Sequence, residues 1–198
     1  MPTPALVVAL HGYQDDPDRL ASQLAPLASP GRVVFTPRSA ISEPTGPVWF
    51  RSDGTGPVEV DLISSLDRLD QLIDDLTANH GIGRDHVVLG GFSQGAAVAL
   101  ACALRSGGRT TPLAGVFSVS GWLPHAEGGA YDALALASGG TRVLVVHGAD
   151  DDVVAVQQGR SAARYLERQG VSVRYVELPG GHHLGTEAVD QVARWLEG

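Results

Sequence analysis

The chain alternates between short unbroken apolar runs and longer segments in which apolar residues recur every three or four positions. Leu6–Leu10, the stretch 32–37, Val87–Leu89, Leu113–Val119, Val143–Val146 and Val171–Leu178 are runs of the first kind. Such a run reads as a strand covered on both faces in a parallel sheet. Helices are predicted between them. One follows Asp15 or Asp16 as cap with Pro17 in its first turn, and carries Leu20, Leu24 and Leu27. The longest, Val58 to about Asn79, puts Leu62, Leu66, Leu69, Ile73 and Leu76 on one face and ends at His80-Gly81. Ala96–Leu104 is apolar all round, so its helix is predicted to pack on most sides. Two more helices end near Gln169 and span Glu187–Glu197.

Two stretches lack either pattern. Residues 38–57 are predicted as one long irregular loop with Trp49-Phe50 in its middle, a pair that either lines a substrate groove or plugs the loop onto the core. Residues 125–140 are rich in glycine and predicted to be less ordered. Strands alternating with helices predict an α/β fold, with a mainly parallel sheet of about six or seven strands and helices on both faces. With no repeat or linker in view, residues 1–198 are expected to form one domain. Each polar cluster directly follows a strand, at the sheet edge where open α/β folds bind ligands.

Composition narrows the function. A formal charge of −8 leaves no basic face for nucleic acid. No apolar stretch has the length of a membrane span, and the N-terminus shows no basic region followed by an apolar core, so no integral membrane segment and a cytoplasmic location are expected. The single cysteine, Cys102, excludes an intramolecular disulfide and reads as core.

The chemistry is concentrated at Val87–Leu100. An apolar run ends in Gly90-Gly91, and Ser93 stands between glycines in Gly91-Phe92-Ser93-Gln94-Gly95 before an alanine-rich helix. This is the strand–turn–helix pattern of a nucleophile elbow. Glycine is needed two residues either side of a strained serine because side chains there would collide across the turn. A serine hydroxyl needs a base and an acid to orient that base. Acids follow the fifth run at Asp150-Asp151-Asp152, and histidines follow the sixth at His182-His183. The order Ser, Asp, His is that of an α/β-hydrolase triad. Three consecutive aspartates point in divergent directions and no regular ligand loop follows, so no metal is expected. Backbone N–H groups of Tyr13 and Gln94 are the predicted oxyanion donors.

Leu10-His11-Gly12-Tyr13, Trp49-Phe50, the Ser93 elbow, Ser120-Gly121-Trp122-Leu123-Pro124, His147-Gly148-Ala149-Asp150-Asp151 and Gly181-His182 together resemble the carboxylesterase/phospholipase group of α/β-hydrolases that includes the acyl-protein thioesterases. The resemblance runs over almost the whole chain. It implies a single-domain α/β-hydrolase fold without a lid domain, and no cofactor. It selects Asp151, the fifth residue of His-Gly-x-x-Asp-x-x-Val, and His182, directly after Gly181, as partners of Ser93. Gln14 is a departure, standing where the family usually has glycine. Trp49, Phe50 and Trp122 are candidates for substrate contact, against core packing. The expected activity is a serine hydrolase for carboxylic esters, thioesters included, of small or medium acyl groups. Lactone or peptide cleavage, or a non-catalytic binding protein, are the alternatives. The expected partner is a small-molecule ester, and the expected state a monomer or homodimer.

Overall fold

The computed structural model describes residues 4–54, 56–105, 112–124 and 137–198. In chain order the strands are Leu6–Leu10 (β1), Val33–Phe35 (β2), Ile41–Glu43 (β3), Gly46–Val48 (β4), Val87–Phe92 (β5), Gly115–Val119 (β6), Arg142–Gly148 (β7) and Ser172–Leu178 (β8). Five α-helices lie wholly within the described residues: Pro17–Leu24 (α1), Glu59–His80 (α2), Gln94–Leu104 (α3), Val156–Arg168 (α4) and Thr186–Leu196 (α5), and residues 137–139 are helical as well. The expected glycine-rich stretch 125–140 lies, up to residue 136, outside the described residues.

Six strands form one parallel sheet in the order β2-β1-β5-β6-β7-β8, matching the predicted class and strand number. The central runs are buried on both faces, as unbroken apolar sequence requires. The second run differs. It is β2, one of the two edge strands, and among the described residues it leaves Val33 and Phe35 exposed.

Local signals account for the helix ends. Asp16 caps α1 by accepting from Asp18 N–H at 3.0 Å, with Pro17 in the first turn. Gly81 closes α2 in the left-handed conformation at φ 64°. Leu62, Leu66, Leu69 and Ile73 of α2, the apolar α3 and Leu166 of α4 cover one face of the sheet. Leu20 and Leu24 of α1 with Val189, Val192 and Trp195 of α5 cover the other. Each fully buried leucine or isoleucine contributes about 1.5–3 kcal/mol, so α2 is held mainly by this stripe.

The predicted irregular loop 38–57 is partly regular. Residues β3 and β4 form an antiparallel hairpin, with Ile41 opposite Val48 and Glu43 opposite Gly46. Its three-residue strands are too short to show alternation, and Pro44, Gly46 and Pro47 mask them in the sequence.

Strand order places the site. From β1 the chain moves outward to β2, then returns on the other side of β1 to form β5. The turns after β1 and β5 therefore flank the point where the strand order reverses, the crevice where open α/β sheets bind ligands.

Candidate active site

Ser93 sits at the hinge from β5 to α3, at φ 54° and ψ −119°. Backbone packing makes the two flanking glycines necessary. A Cβ on Gly95 would lie 2.3 Å from Leu10 O and 2.5 Å from His11 O, and one on Gly91 would lie 2.6 Å from Leu10 O. Both obstacles, Leu10 O and His11 O, are main-chain atoms that cannot swing aside. Ser93 N–H donates to Val119 O at 2.9 Å, tying the turn to β6.

The three residues singled out for nucleophile, base and acid lie in one hydrogen-bonded line. Ser93 Oγ is 2.9 Å from His182 Nε2, and His182 Nδ1 is 2.8 Å from Asp151 Oδ2. In the tautomer with hydrogen on Nδ1, the imidazole donates to Asp151 and accepts from the serine hydroxyl. Phe92 packs against the imidazole with ring centroids 4.9 Å apart, giving it an apolar wall. Of the neighbouring alternatives, His183 is exposed, as are Asp150 and Asp152.

Asp151 is buried at 8% exposure. Burial works to raise its carboxyl, but hydrogen bonds from His182 and from the amides of Val154 and Val153 outweigh it and hold the group below its ordinary value. The site acid is thus kept ionised. His147, also fully buried, is 2.8 Å from Val154 O and 3.5 Å from Asp151 Oδ2 through Nε2, bracing the same loop.

The turn after β1 carries Tyr13. Gln14 N–H donates to Pro47 O and Asp15 N–H to Gly12 O, whereas among the described residues no backbone carbonyl accepts from Tyr13 or Gln94 N–H. Among the described residues, then, neither predicted oxyanion amide is tied to a backbone carbonyl. Gln94, first residue of α3, also adds the positive end of the helix dipole. Gln14 adopts φ 55°, the left-handed conformation that glycine takes without steric cost. The Tyr13 hydroxyl reaches Glu43 at 3.3 Å and the ring is exposed.

The aromatic residues expected at the substrate face divide. Trp49 and Phe50 are buried at 5% and 3% exposure, so the pair plugs the loop onto the core and does not present its rings at the surface. Trp122 is half-buried, edge-on to Phe50 with centroids 6.3 Å apart. The polar groups that hold Trp49-Phe50 down were not foreseen. Gln94 Oε1 accepts from Trp49 N–H at 2.9 Å, and Gln94 Nε2 donates to Phe50 O at 2.8 Å. Ser65 Oγ donates to Trp49 O, and Asp61 takes both Arg51 N–H and its guanidinium. Asp61 and Ser65 are polar residues beside the Leu62–Leu66 stripe, which was the available signal.

A separate cavity of about 400 Å³ lies between the strand ends and α5, with Val119, Ser120, Val146, Leu178 and His183 among its walls. Ser93 is not part of its lining. Among the described residues no three metal-ligating side chains are grouped, and no helix is long and apolar enough to cross a membrane.

A model of the phospholipase/carboxylesterase family matches residues 1–197. The chain belongs to this family. Acyl-protein thioesterase 1 homolog 1 of Dictyostelium discoideum is 30% identical over 141 residues, which cover 71% of this chain and 59% of that protein. The match thus spans less than two thirds of that relative's own length. Among solved structures, esterase PE8 is 27% identical with a TM-score of 0.80, covering 98% of this chain and 92% of its own. A carboxylesterase from Mesorhizobium loti has the same fold at a TM-score of 0.83, covering 98% of this chain and 88% of its own at 24% identity. Together with the six-stranded sheet, these place the chain among α/β-hydrolases of the phospholipase/carboxylesterase family.

Proposed function

We propose that this protein hydrolyses carboxylic esters, thioesters included, of small or medium acyl groups, through an acyl-enzyme on Ser93. The observation that carries the reading is the continuous contact from Ser93 Oγ through His182 to Asp151, at 2.9 and 2.8 Å, on a serine held at positive φ.

Each step follows from that geometry. His182 Nε2 takes the hydroxyl proton as Ser93 Oγ attacks the ester carbonyl carbon. Asp151 keeps the proton of Nδ1 in place and stabilises the imidazolium. The Tyr13 and Gln94 amides receive the oxyanion, with the N-terminus of α3 behind it. Collapse expels the alcohol or thiol, which takes the proton from His182. Water then enters and gives a proton to the same nitrogen as its oxygen attacks the acyl carbon, and the acid leaves as His182 returns that proton to Ser93 Oγ. No group beyond these side chains and amides is required. The acidic chain is expected to act as a single cytoplasmic domain, monomer or homodimer, on a small-molecule ester.

The test is hydrolysis of p-nitrophenyl esters of increasing acyl length, with Ser93→Ala in parallel. Activity that disappears with Ser93 supports the reading, and the length optimum sizes the acyl site. Folded wild-type protein that cleaves none of the series and takes no fluorophosphonate label overturns it.

A further inference from the structure

The two amides assigned to the oxyanion stand on separate segments. Tyr13 belongs to the turn after β1, whereas Gln94 opens α3 after β5. A hole of this kind works through the fixed separation of its donors, since displacement of either weakens both contacts to the developing charge. The β1–β5 ladder and the packing of Gly91 and Gly95 on the carbonyls of Leu10 and His11 set the two segments side by side, but the ladder ends at Leu10 and Gly91, short of both amides.

Trp49 connects the two segments beyond the ladder. Its indole Nε1–H donates to His11 O at 2.9 Å, two residues before Tyr13. Its backbone N–H donates to the Gln94 side chain at 2.9 Å, and the next carbonyl, Phe50 O, receives the Gln94 amide at 2.8 Å. Among the described residues Trp49 alone is hydrogen-bonded both to the β1–α1 turn and to Gln94. The brace is itself anchored. Ser65 of α2 bonds Trp49 O, and Asp61 binds Arg51 through its amide and both ends of its guanidinium. The same arrangement reaches the turn a second time, where Gln14 N–H meets Pro47 O at 3.0 Å.

We infer that Trp49 is a positioning residue of the oxyanion hole, a strut whose indole N–H and backbone N–H fix the Tyr13-bearing turn against Gln94. It touches no substrate. Simple core packing is the competing account, because the ring is buried among the residues of α2 and β1. The two accounts separate at the indole nitrogen. Packing needs the ring, whereas the strut needs the N–H.

The inference rests on the hydrolytic reading of Ser93, and its test keeps the two apart. Trp49→Phe retains an aromatic ring and removes the donor to His11 O. Its kcat, counted per fluorophosphonate-titrated site, is expected to fall roughly 10- to 100-fold with KM within about threefold of wild type. Inhibition by an aryl trifluoromethyl ketone, whose adduct with Ser93 carries the oxyanion, is expected to weaken by a similar factor. Wild-type kcat and ketone affinity in Trp49→Phe overturn the strut while leaving the hydrolase intact. Wild-type protein that neither hydrolyses the ester series nor binds the ketone overturns the hydrolytic reading and the strut together. If Trp49→Phe does not fold, benzothienylalanine at position 49 carries the test, because it keeps the bicyclic ring and lacks the N–H that donates to His11 O. The same pairing of lower kcat and lower ketone affinity at unchanged KM supports the strut, and no change in either overturns it.

Discussion

Asp151 divides its carboxylate between His182 and its own loop: Oδ2 lies 2.8 Å from His182 Nδ1, while Oδ1 accepts from the amides of Val153 and Val154 at 3.0 and 2.8 Å. The loop bonds fix the carboxylate plane, so the oxygen facing the imidazole cannot rotate away. Asp150 and Asp152 are exposed, and among the described residues neither carboxylate is shared in this way. Asp151→Ala is therefore expected to lower kcat by about 10³- to 10⁴-fold, with Asp150→Ala and Asp152→Ala within about threefold of wild type. Steady-state rates on one ester check it. A dead Asp150 variant beside a live Asp151 variant reverses the assignment.

His11 gives a pH dependence of stability. The imidazole is fully buried, with Nδ1 2.7 Å from Gly12 O and Nε2 accepting from Ser39 N–H at 3.1 Å. That pair of bonds requires the neutral ring with hydrogen on Nδ1. Burial pushes the group below its ordinary 6.5, against the Gly12 hydrogen bond and the charges of Asp15 and Asp16 that raise it, while Arg38 adds to the lowering. Below pH 6.5 the unfolded chain takes up the proton first. Its contribution to stability is therefore whole above that pH and is lost as pH falls toward the folded value. His11→Gln removes this titration and leaves every other histidine in place. The drop in Tm from about pH 7.5 to about pH 5.5 is expected to be smaller in the variant than in wild type. Equal drops in differential scanning calorimetry refute the assignment.

The fold was legible where the sequence pattern is periodic or unbroken. The buried strands β1, β5, β6 and β7 and the stripe of α2 follow directly from apolar spacing. Ser93, Asp151 and His182 were legible because each follows a strand, and parallel strands bring their C-terminal ends together. The β3–β4 hairpin was not, since three residues per strand give no alternation to detect. Nor were the roles of Gln94 and Asp61, because a buried polar side chain is recognised by the backbone it meets, which is distant in sequence. Gln94 meets Trp49 from 45 positions away.

The turn after β1 tolerates glutamine through its neighbour. Gln14 stands at φ 55°, and Gly46 at φ 150° packs so closely that a Cβ there would lie 2.8 Å from Gln14 O. Gln14→Gly relieves a left-handed side chain, worth about 1–2 kcal/mol, and adds about 0.4–1 kcal/mol of unfolded-chain freedom. Its Tm is expected to equal or slightly exceed that of wild type, with kcat retained. Gly46→Ala drives a methyl group into the Gln14 carbonyl and is expected to lower both Tm and kcat. Thermal melts and ester kinetics on the two variants decide it, and a Gly46→Ala protein matching wild type in both measurements contradicts the packing argument.

Ser93 itself is held at a cost that a single substitution exposes. At φ 54° and ψ −119° a residue with a Cβ is strained, and the bond from its amide to Val119 O and the close packing of Gly91 and Gly95 on Leu10 keep it there. Such strain is worth about 1–3 kcal/mol, of which a glycine recovers most while giving back about 0.4–1 kcal/mol through the freer unfolded chain. Ser93→Gly is therefore expected to be more stable than wild type by about 1 kcal/mol, a rise in Tm of about 2–4 °C for a chain of this size. Ser93→Ala removes the same hydroxyl but keeps the Cβ, so it separates backbone strain from loss of the contact to His182. On the hydrolytic reading both variants are inactive, yet only the glycine variant gains stability from the backbone. A Tm for Ser93→Gly at or below that of Ser93→Ala shows that the turn is not strained, and positive φ at Ser93 then reflects the ordinary geometry of this bend.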